Sequence, residues 1–337
     1  MKYHLPYIIF EITAACNLQC RYCYNVWKIP GTSVKSPEYT YQRAIRVLKK
    51  LFRLADVKHV TFTGGEPLLA ERFEEIALFV RLKRKSVTII TNGSGGDESR
   101  YQTLMKLGVK LFELPVHSHL PEVHDGITCV SGSWDRSVRS IRSLMKGGAY
   151  VVPVVVITKM NAGDLGSTLH FIHSLGCRQI MLNRYNIGGQ GFREAHEILP
   201  SHEQLRQAFR EADQLAVPLG LKLSSNVCTP FCLLNPAEYP NISFGSCSTQ
   251  VERMPVTMDI EGNLRLCNHS PVSTGNIFRE KLSDIFRSEH ALNWLSERPE
   301  FCDGCTLYDR CLGGCRAASL QAGLGSSHVD PVMTLKG

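Results

Sequence analysis

The sequence predicts an α/β protein: a parallel β-sheet under helical cover, followed by a small cysteine-rich α+β tail. Two observations carry this. Six short apolar runs between residues 7 and 187 are each followed by an amphipathic stretch, with a period of about thirty residues. Past residue 190 the alternation stops, and eight of the 13 cysteines crowd between residues 228 and 315. At 337 residues the chain has room for one large domain and a smaller one, each with its own core.

The first run, YIIFEI, reads as a strand, and the helix expected over 39–54 places Ala44, Val47, Leu48 and Leu51 on one face. HVTFT is the second strand, and Phe73, Ile76, Ala77 and Val80 stripe its helix. SVTIITNG is the third, followed by SRYQTLMKLG with Gly108 at the helix stop. KLFELPVH is the fourth, and its helix carries Val138, Ile141, Leu144 and Met145. YVVPVVVIT is the fifth, with a stripe of Leu165, Leu169, Ile172 and Leu175, and QIMLNRYN is the sixth. Near-continuous apolar strands with intervening helices imply either an open partial barrel or a doubly wound sheet. In both, chemistry belongs at the carboxyl ends of the strands.

Composition narrows the function classes. With 43% hydrophobic and 20% charged residues the chain reads as an ordinary soluble globular protein. The N-terminal MKYHLPYIIFEIT has too short an apolar run for a signal peptide or a membrane span, so a cytoplasmic location is expected. A net charge of +7 is spread along the chain, and its densest run, LKRKS at 82–86, reads as a solvated helix end rather than a nucleic-acid footprint. The odd cysteine count, with no export signal, argues against a disulfide framework and for metal or cluster ligation. Cys129 and Cys177 stand alone and read as ordinary small residues.

Directly after the first strand, AACNLQCRYCYN places Cys16, Cys20 and Cys23 in the spacing C-x3-C-x2-C. Three thiolates on a [4Fe–4S] cluster leave one iron open to a substrate, whereas zinc would take its fourth ligand from elsewhere or from water. The second strand ends in TFTGGEPLL, where Gly64 and Gly65 allow close backbone approach and Pro67 fixes the turn. Carbonyls aimed outward from that strand end suit an ammonium group; a plain strand-to-helix turn is the simpler reading of GGEP alone. The two motifs one βα unit apart resemble those of the radical S-adenosylmethionine (SAM) superfamily.

That resemblance implies a partial (β/α)6 TIM barrel in which Cys16, Cys20 and Cys23 are the catalytic cysteines holding the SAM-binding [4Fe–4S] cluster. It implies that Tyr22 approaches the adenine and that Gly64, Gly65 and Glu66, turned by Pro67, receive the amino group of SAM. One electron would then cleave SAM to a 5′-deoxyadenosyl radical that abstracts hydrogen from substrate. Asn92 (with Thr91 and Gly93), Ser118 (with His117) and Asn161 end or follow later strands, where family members use polar groups for SAM; each is equally a turn-former or cap. His124 and Asp125 resemble a loop of peptide-modifying members, with solvated loop residues the simpler reading. Asn183, Arg184 and Tyr185 either meet substrate or close the barrel.

The tail opens with a helix capped near Ser201, with Glu203 in its first turn, and a bridging segment carrying Cys228 and Cys232. MDIEGNLRLC reads as a hairpin, and CDGCTLYDRCLGGCRA holds Cys302, Cys305, Cys311 and Cys315 in a spacing that would also satisfy structural zinc. With Cys247 and Cys267 ahead of it, the pattern resembles the SPASM extension of radical SAM enzymes. This implies Cys247, Cys267 and Cys315 on a first auxiliary cluster and Cys302, Cys305 and Cys311 on a second, with Cys228 or Cys232 as fourth ligand of the first. SPASM members commonly end with a further cysteine near Asp-Pro; here HVDPVM puts Met333 there, which leaves the second cluster an open iron or a ligand such as Asp330. The expected organisation is a radical SAM partial barrel over 1–190, a bridging helical segment over 191–245 and a SPASM domain over 246–337.

The resemblance spans the chain and implies an oxidoreductase that oxidatively modifies a peptide or protein substrate, using SAM, its [4Fe–4S] cluster and one or two auxiliary [4Fe–4S] clusters. The alternatives are the same chemistry on a small metabolite, such as a porphyrin side chain or an amino-acid-derived scaffold, and a non-catalytic metal-binding or electron-transfer protein. The partners implied are a flavodoxin- or ferredoxin-type reductant and a separate leader-binding protein, because no room for a leader-binding domain is expected before the barrel. Neither nucleic acid nor membrane is expected as a partner.

Overall fold

The computed structural model describes residues 2–29, 31–32, 38–248, 250–325 and 327–334. The six expected strands form as β1 (Tyr7–Thr13), β2 (His59–Gly64), β3 (Ser86–Ile90), β4 (Leu111–Pro115), β5 (Tyr150–Ile157) and β6 (Gln179–Arg184). They lie side by side in chain order and all run parallel. Between them run α1 (Tyr41–Leu54), α2 (Phe73–Leu82), α3 (Glu98–Lys106), α4 (Pro121–Thr128), α5 (Ser133–Lys146) and α6 (Leu165–Ser174).

Local chemistry explains these helices. Thr40 accepts the Arg43 amide at 3.2 Å to cap α1, which buries Ala44, Val47, Leu48 and Leu51. The whole α2 stripe is buried too, and Phe73 packs edge-on to Phe62 at 5.2 Å, itself edge-on to Phe10 at 6.0 Å. Phe10 and Phe62 thus face the helices, and the alternation along a strand sends their neighbours to the opposite face.

That opposite face corrects the reading of the strands as near-continuously apolar. It carries Tyr7, Glu11 and Thr13 from β1, His59 and Thr61 from β2, Thr88 from β3 and Glu113 from β4. Thr61 donates to the Tyr7 hydroxyl at 3.0 Å, and the Tyr7 ring stacks on His59 at 5.4 Å. The helix-facing side is the dry core; the concave side of the partial barrel is a mixed lining, in which these polar groups from β1–β4 lie beside Ile9 and, on β5 and β6, Val152, Val154 and Met181.

The segment 191–245 differs from the helical bridge expected. It holds α7 (Gly191–Ile198) and α8 (His202–Ala216), the latter opened by a capping box in which Ser201 and Gln204 each accept the other's amide. It also holds β7 (Lys222–Ser225) and β8 (Ile242–Phe244), which extend the parallel sheet beyond β6. Three- and four-residue strands are too short for periodicity to mark them.

The expected hairpin forms from β9 (Thr257–Asp259) and β10 (Asn263–Arg265), and β11 (Gly275–Asn276) follows. β9 also pairs parallel to β1, with Thr257 opposite Ile9. One 11-stranded sheet therefore runs β8-β7-β6-β5-β4-β3-β2-β1-β9-β10-β11, through both the barrel and the tail. A buried Glu11–Arg265 ion pair links β1 to β10 beneath it. Among the described residues no helix is long and apolar enough to cross a membrane.

Glu113 is the inner-face carboxyl with the clearest titration. Burial alone pushes it from the ordinary 4.5 to about 7. A carboxyl raised this way binds more protons folded than unfolded, so it costs stability as pH rises between those values. Urea unfolding of the reconstituted protein should show Glu113→Gln level with wild type near pH 4 and more stable by on the order of 2–3 kcal/mol near pH 8. Parallel pH profiles for the two proteins would contradict this placement.

Candidate active site

β1 ends at Thr13, and the loop carrying Cys16, Cys20 and Cys23 leaves from the carboxyl edge of the sheet. Its root is fixed by backbone. Gly65 donates its amide to the Thr13 carbonyl at 2.7 Å, and Glu66 donates to that of Ala15 at 2.8 Å. Gly64 has φ +128°, and a Cβ there would stand 2.2 Å from the Thr13 oxygen; at Gly65 it would stand 2.1 Å from the Ala15 oxygen. The two glycines are required by the approach of β2 to the cysteine loop itself.

Further along, Gln19 and Arg21 donate their amides to the carbonyls of Thr128 and Ile127, at 3.2 and 2.9 Å, at the end of α4. Asn25 donates its side-chain amide to Gly64 at 3.1 Å, and Gly191 donates to Cys23 at 3.3 Å.

Glu66 is buried and its carboxylate is fully engaged. It accepts from the Leu68 amide at 3.0 Å, the Thr91 hydroxyl at 2.6 Å and the Asn92 amide at 2.6 Å. Burial raises its pKa against the pull of these donors. Pro67 opens the single turn Pro67–Leu69 that follows. Asn92 then reaches the cysteine loop, donating to Asn17 at 2.8 Å with its amide nitrogen 3.9 Å from the Cys16 sulfur.

Tyr22 stands over the second cysteine. Its hydroxyl lies beside Cys20 and 2.9 Å from His117 Nε2, with the rings edge-on at 4.8 Å. His117 Nδ1 accepts from the Val156 amide at 3.2 Å, so the ring proton sits on Nε2 and is donated to Tyr22. His124 stacks on His117 at 5.1 Å, and its Nδ1 accepts the His117 amide at 3.1 Å. Burial lowers His117 well below the usual imidazole range and His124 to about 4, so both rings are neutral.

The histidine-containing stretch is therefore not the solvated loop expected. Pro121 opens α4, and His124 lies on its buried face. Asp125 caps α5, accepting from Gly132 at 2.6 Å, Ser133 at 2.7 Å and Trp134 at 2.8 Å. Two other polar strand-end groups are engaged locally. Ser118 accepts the Leu120 amide at 3.1 Å. Asn161 accepts from the Thr158 amide at 2.7 Å and donates to the carbonyls of His117 and Val156 at 2.7 and 2.9 Å.

Arg184, at the end of β6, points into the tail. It pairs with buried Asp330 and donates to the Cys228 carbonyl at 2.9 Å. Asp330 also accepts the amides of Cys315 at 2.7 Å and Val332 at 3.0 Å. Gln321 ties the tail to the cysteine loop, donating to the carbonyls of Tyr24 at 3.1 Å and His269 at 2.6 Å. Asn268 donates to the Tyr24 hydroxyl at 2.6 Å. No local pattern marks Gln321, which meets its partner almost three hundred residues away; Asn25, two places beyond Cys23, lay inside the motif and could have been read as its clamp.

The tail cysteines gather in two groups. Cys228 lies beside Cys247 and shares its surroundings with Cys267 and Cys315. Cys232, Cys302, Cys305 and Cys311 line one cavity with Phe231 and Phe301. Donors address several of the sulfurs: the Asn186 side-chain amide on Cys315 at 3.2 Å, the His269 amide on Cys267 at 3.4 Å and the Phe231 amide on Cys311 at 3.3 Å. Such N–H···S bonds suit thiolate ligands of iron–sulfur clusters. Among the described residues no three candidate ligands close around a single metal ion, and the thiolates of a four-iron cube, each on a different iron, need not. Cys129 and Cys177 lie outside both groups, the first exposed and the second buried.

Residues 10–172 match the Radical SAM superfamily, and residues 232–306 match SPASM, an iron–sulfur cluster-binding domain. The chain is 24% identical to the PqqA peptide cyclase of Granulibacter bethesdensis, over 97% of this chain and 87% of that protein. It is 22% identical to the PqqA peptide cyclase of Gluconobacter oxydans, over 97% and 90%. Its fold is similar to that of native anSMEcpe with bound AdoMet, at a TM-score of 0.75 and 17% identity, covering 98% of this chain and 94% of that one. It is also similar to Streptococcus suis SuiB bound to precursor peptide SuiA, at 0.72 and 15% identity, covering 98% and 76%.

A methyl group at residue 65 has no room against Ala15, so Gly65→Ala should displace the N-terminal cysteine loop and spare the tail. Iron bound after anaerobic reconstitution should fall by about four per chain relative to wild type. Undiminished iron would show that the approach tolerates a side chain.

Proposed function

The chain belongs to the radical SAM superfamily and carries a C-terminal SPASM iron–sulfur domain, and from that premise we propose that it oxidatively modifies a peptide or protein side chain. The observation that carries the reading is the joint clamping of the Cys16–Cys23 loop. The GGEP turn holds it from the barrel side, and Asn268 and Gln321 hold it from the cysteine-rich tail. Relatives that match over nearly the whole chain are PqqA peptide cyclases, and a protein of similar fold is bound to a precursor peptide, which supports a peptide as substrate.

In this reading Cys16, Cys20 and Cys23 hold the SAM-binding cluster, and the backbone of Gly64–Glu66 receives the amino group of SAM. Tyr22 flanks the adenine. Cys228, Cys247, Cys267 and Cys315 hold a first auxiliary cluster, and Cys302, Cys305 and Cys311 contribute to a second. When bound, these groups supply one-electron cleavage of SAM, hydrogen abstraction from an unactivated C–H bond and an acceptor for the electron left on the substrate.

The protein's own part is placement. Asn92 positions the cysteine loop, while Ser118 and Asn161 shape the strand ends beneath it, Asn161 by holding the His117 carbonyl. The neutral pair His117 and His124 backs Tyr22 without introducing charge beside the thiolates. The polar concave wall offers hydrogen bonds to an extended peptide. A flavodoxin- or ferredoxin-type reductant, a cytoplasmic setting and a separate leader-binding protein complete the proposal.

The test is anaerobic incubation with reductant, SAM and peptides encoded by neighbouring genes, followed by chromatography and mass spectrometry. Wild type should form 5′-deoxyadenosine and a peptide of dehydrogenated mass. Cys20→Ala should lower 5′-deoxyadenosine at least about 100-fold, a loss of roughly 2.7 kcal/mol in transition-state stabilisation. Cys305→Ala should still cleave SAM well above the Cys20→Ala level yet release no modified peptide. Cleavage stimulated by a small metabolite and by no peptide would overturn the substrate class.

A further inference from the structure

The tail holds eight cysteines, and the pattern that relates it to SPASM accounts for six of them. A further cysteine near Asp-Pro is replaced by Met333, leaving the second cluster one thiolate short. We propose that Cys232 supplies that missing ligand, so that the second auxiliary cluster is held by Cys232, Cys302, Cys305 and Cys311 with no iron left open. The inference rests on the radical SAM/SPASM reading and departs from the assignment of Cys232 as a candidate for the first cluster.

Three independent observations converge on it. Cys232 lines the same cavity as Cys302, Cys305 and Cys311, and Met333 does not. The Phe231 amide donates to the Cys311 sulfur at 3.3 Å, which anchors the residue just before Cys232 against a ligand of that group. A turn closed by Leu233 and Leu234 on the Pro230 carbonyl, at 2.9 and 3.1 Å, then fixes the direction in which residue 232 leaves the backbone.

The C-terminal segment reaches the same place. The single turn Pro331–Met333 brings the Met333 sulfur to 4.0 Å from the Cys232 sulfur. The two side chains therefore meet, and of the two the thiol of Cys232 lines the cavity. Asp330 is not a competitor, because Arg184 and the amides of Cys315 and Val332 occupy its carboxylate. Cys228 is engaged with Cys247, Cys267 and Cys315, so each of the eight tail cysteines has a place in one of two groups of four. On ligation the Cys232 thiol releases its proton to solvent and its sulfur bonds the fourth iron.

The experiment uses the full chain with Cys16, Cys20 and Cys23 changed to alanine, so that only auxiliary clusters remain, reconstituted anaerobically and examined by iron and sulfide counting, Mössbauer and electron paramagnetic resonance spectroscopy. This parent should bind about eight irons. Adding Cys232→Ala should reduce the count to between about four and seven and remove or convert the signal of one cluster only. Adding Cys232→Ser, which keeps an oxygen ligand in place, should retain about eight irons and shift the resonance of that same cluster. Adding Met333→Leu should leave the parent spectrum as it is.

A Cys232→Ala protein with the parent's iron and spectrum, or a Cys232→Ser protein with an unshifted resonance, would overturn the proposal. So would loss of one cluster on Met333→Leu. A parent that binds zinc and no sulfide would overturn the SPASM reading itself, a result distinguishable from the others before Cys232 is touched.

Discussion

The buried carboxylate of Glu66 is the hinge on which the site turns. Its three acceptances tie the end of β2 to the end of β3 and to the turn at Pro67, and Asn92, fixed by one of them, carries the connection on to the cysteine loop. Removing the carboxylate would leave three inward-facing donors without partners, at about 1–3 kcal/mol each. The displacement would be felt in the loop of Cys16, Cys20 and Cys23, where the proposed function places the SAM-binding cluster. A residue whose carboxylate is engaged by protein donors thereby holds the cysteine loop in place from behind.

A second level of organisation joins barrel and tail into one body. Arg265 meets Glu11 under the sheet, Arg184 meets Asp330 at the end of β6, and Gln321 bridges the loops at residues 24, 189 and 269. Buried ion pairs add little net stability, because desolvation offsets most of their attraction, but an unpaired partner would be costly. Their effect is to specify one orientation. The oxidative chemistry proposed would need its electron acceptor at a fixed separation from the reacting carbon, and buried paired charges supply a frame of that kind.

The sequence was most legible where a physical period repeats. The faces of α1 and α2 could be written down in advance because a helix must bury every third or fourth residue, and the hairpin at Gly262 because its turn chemistry is local. The polar lining of the barrel was legible in principle: Tyr7, Glu11 and Thr13 alternate with Ile8, Phe10 and Ile12, but an apolar count hides the alternation. β7 and β8 escaped because so few residues carry no period. His124 escaped because a glycine-containing stretch rich in polar residues looks like a loop until the packing of α4 against the cysteine loop is known. Spacing singled out the cysteines of the tail but could not sort Cys228 from Cys232, since the three residues between them turn the chain so that the two sulfurs fall in different groups.

The parallel pairing of β9 with β1 has a consequence for how the chain comes into being. The strand that covers the flank of β1 lies about 250 residues further along the chain. At a synthesis rate of about 5–20 residues per second, that flank waits roughly ten seconds to a minute with its amides and carbonyls unmatched. An unmatched flank of this kind is a template for strands of other nascent chains. The biogenesis of this protein is therefore most exposed to misassembly before the segment carrying β9 emerges, and chaperone occupancy of the ribosome-bound intermediate should matter more to its yield than the stability of the finished fold.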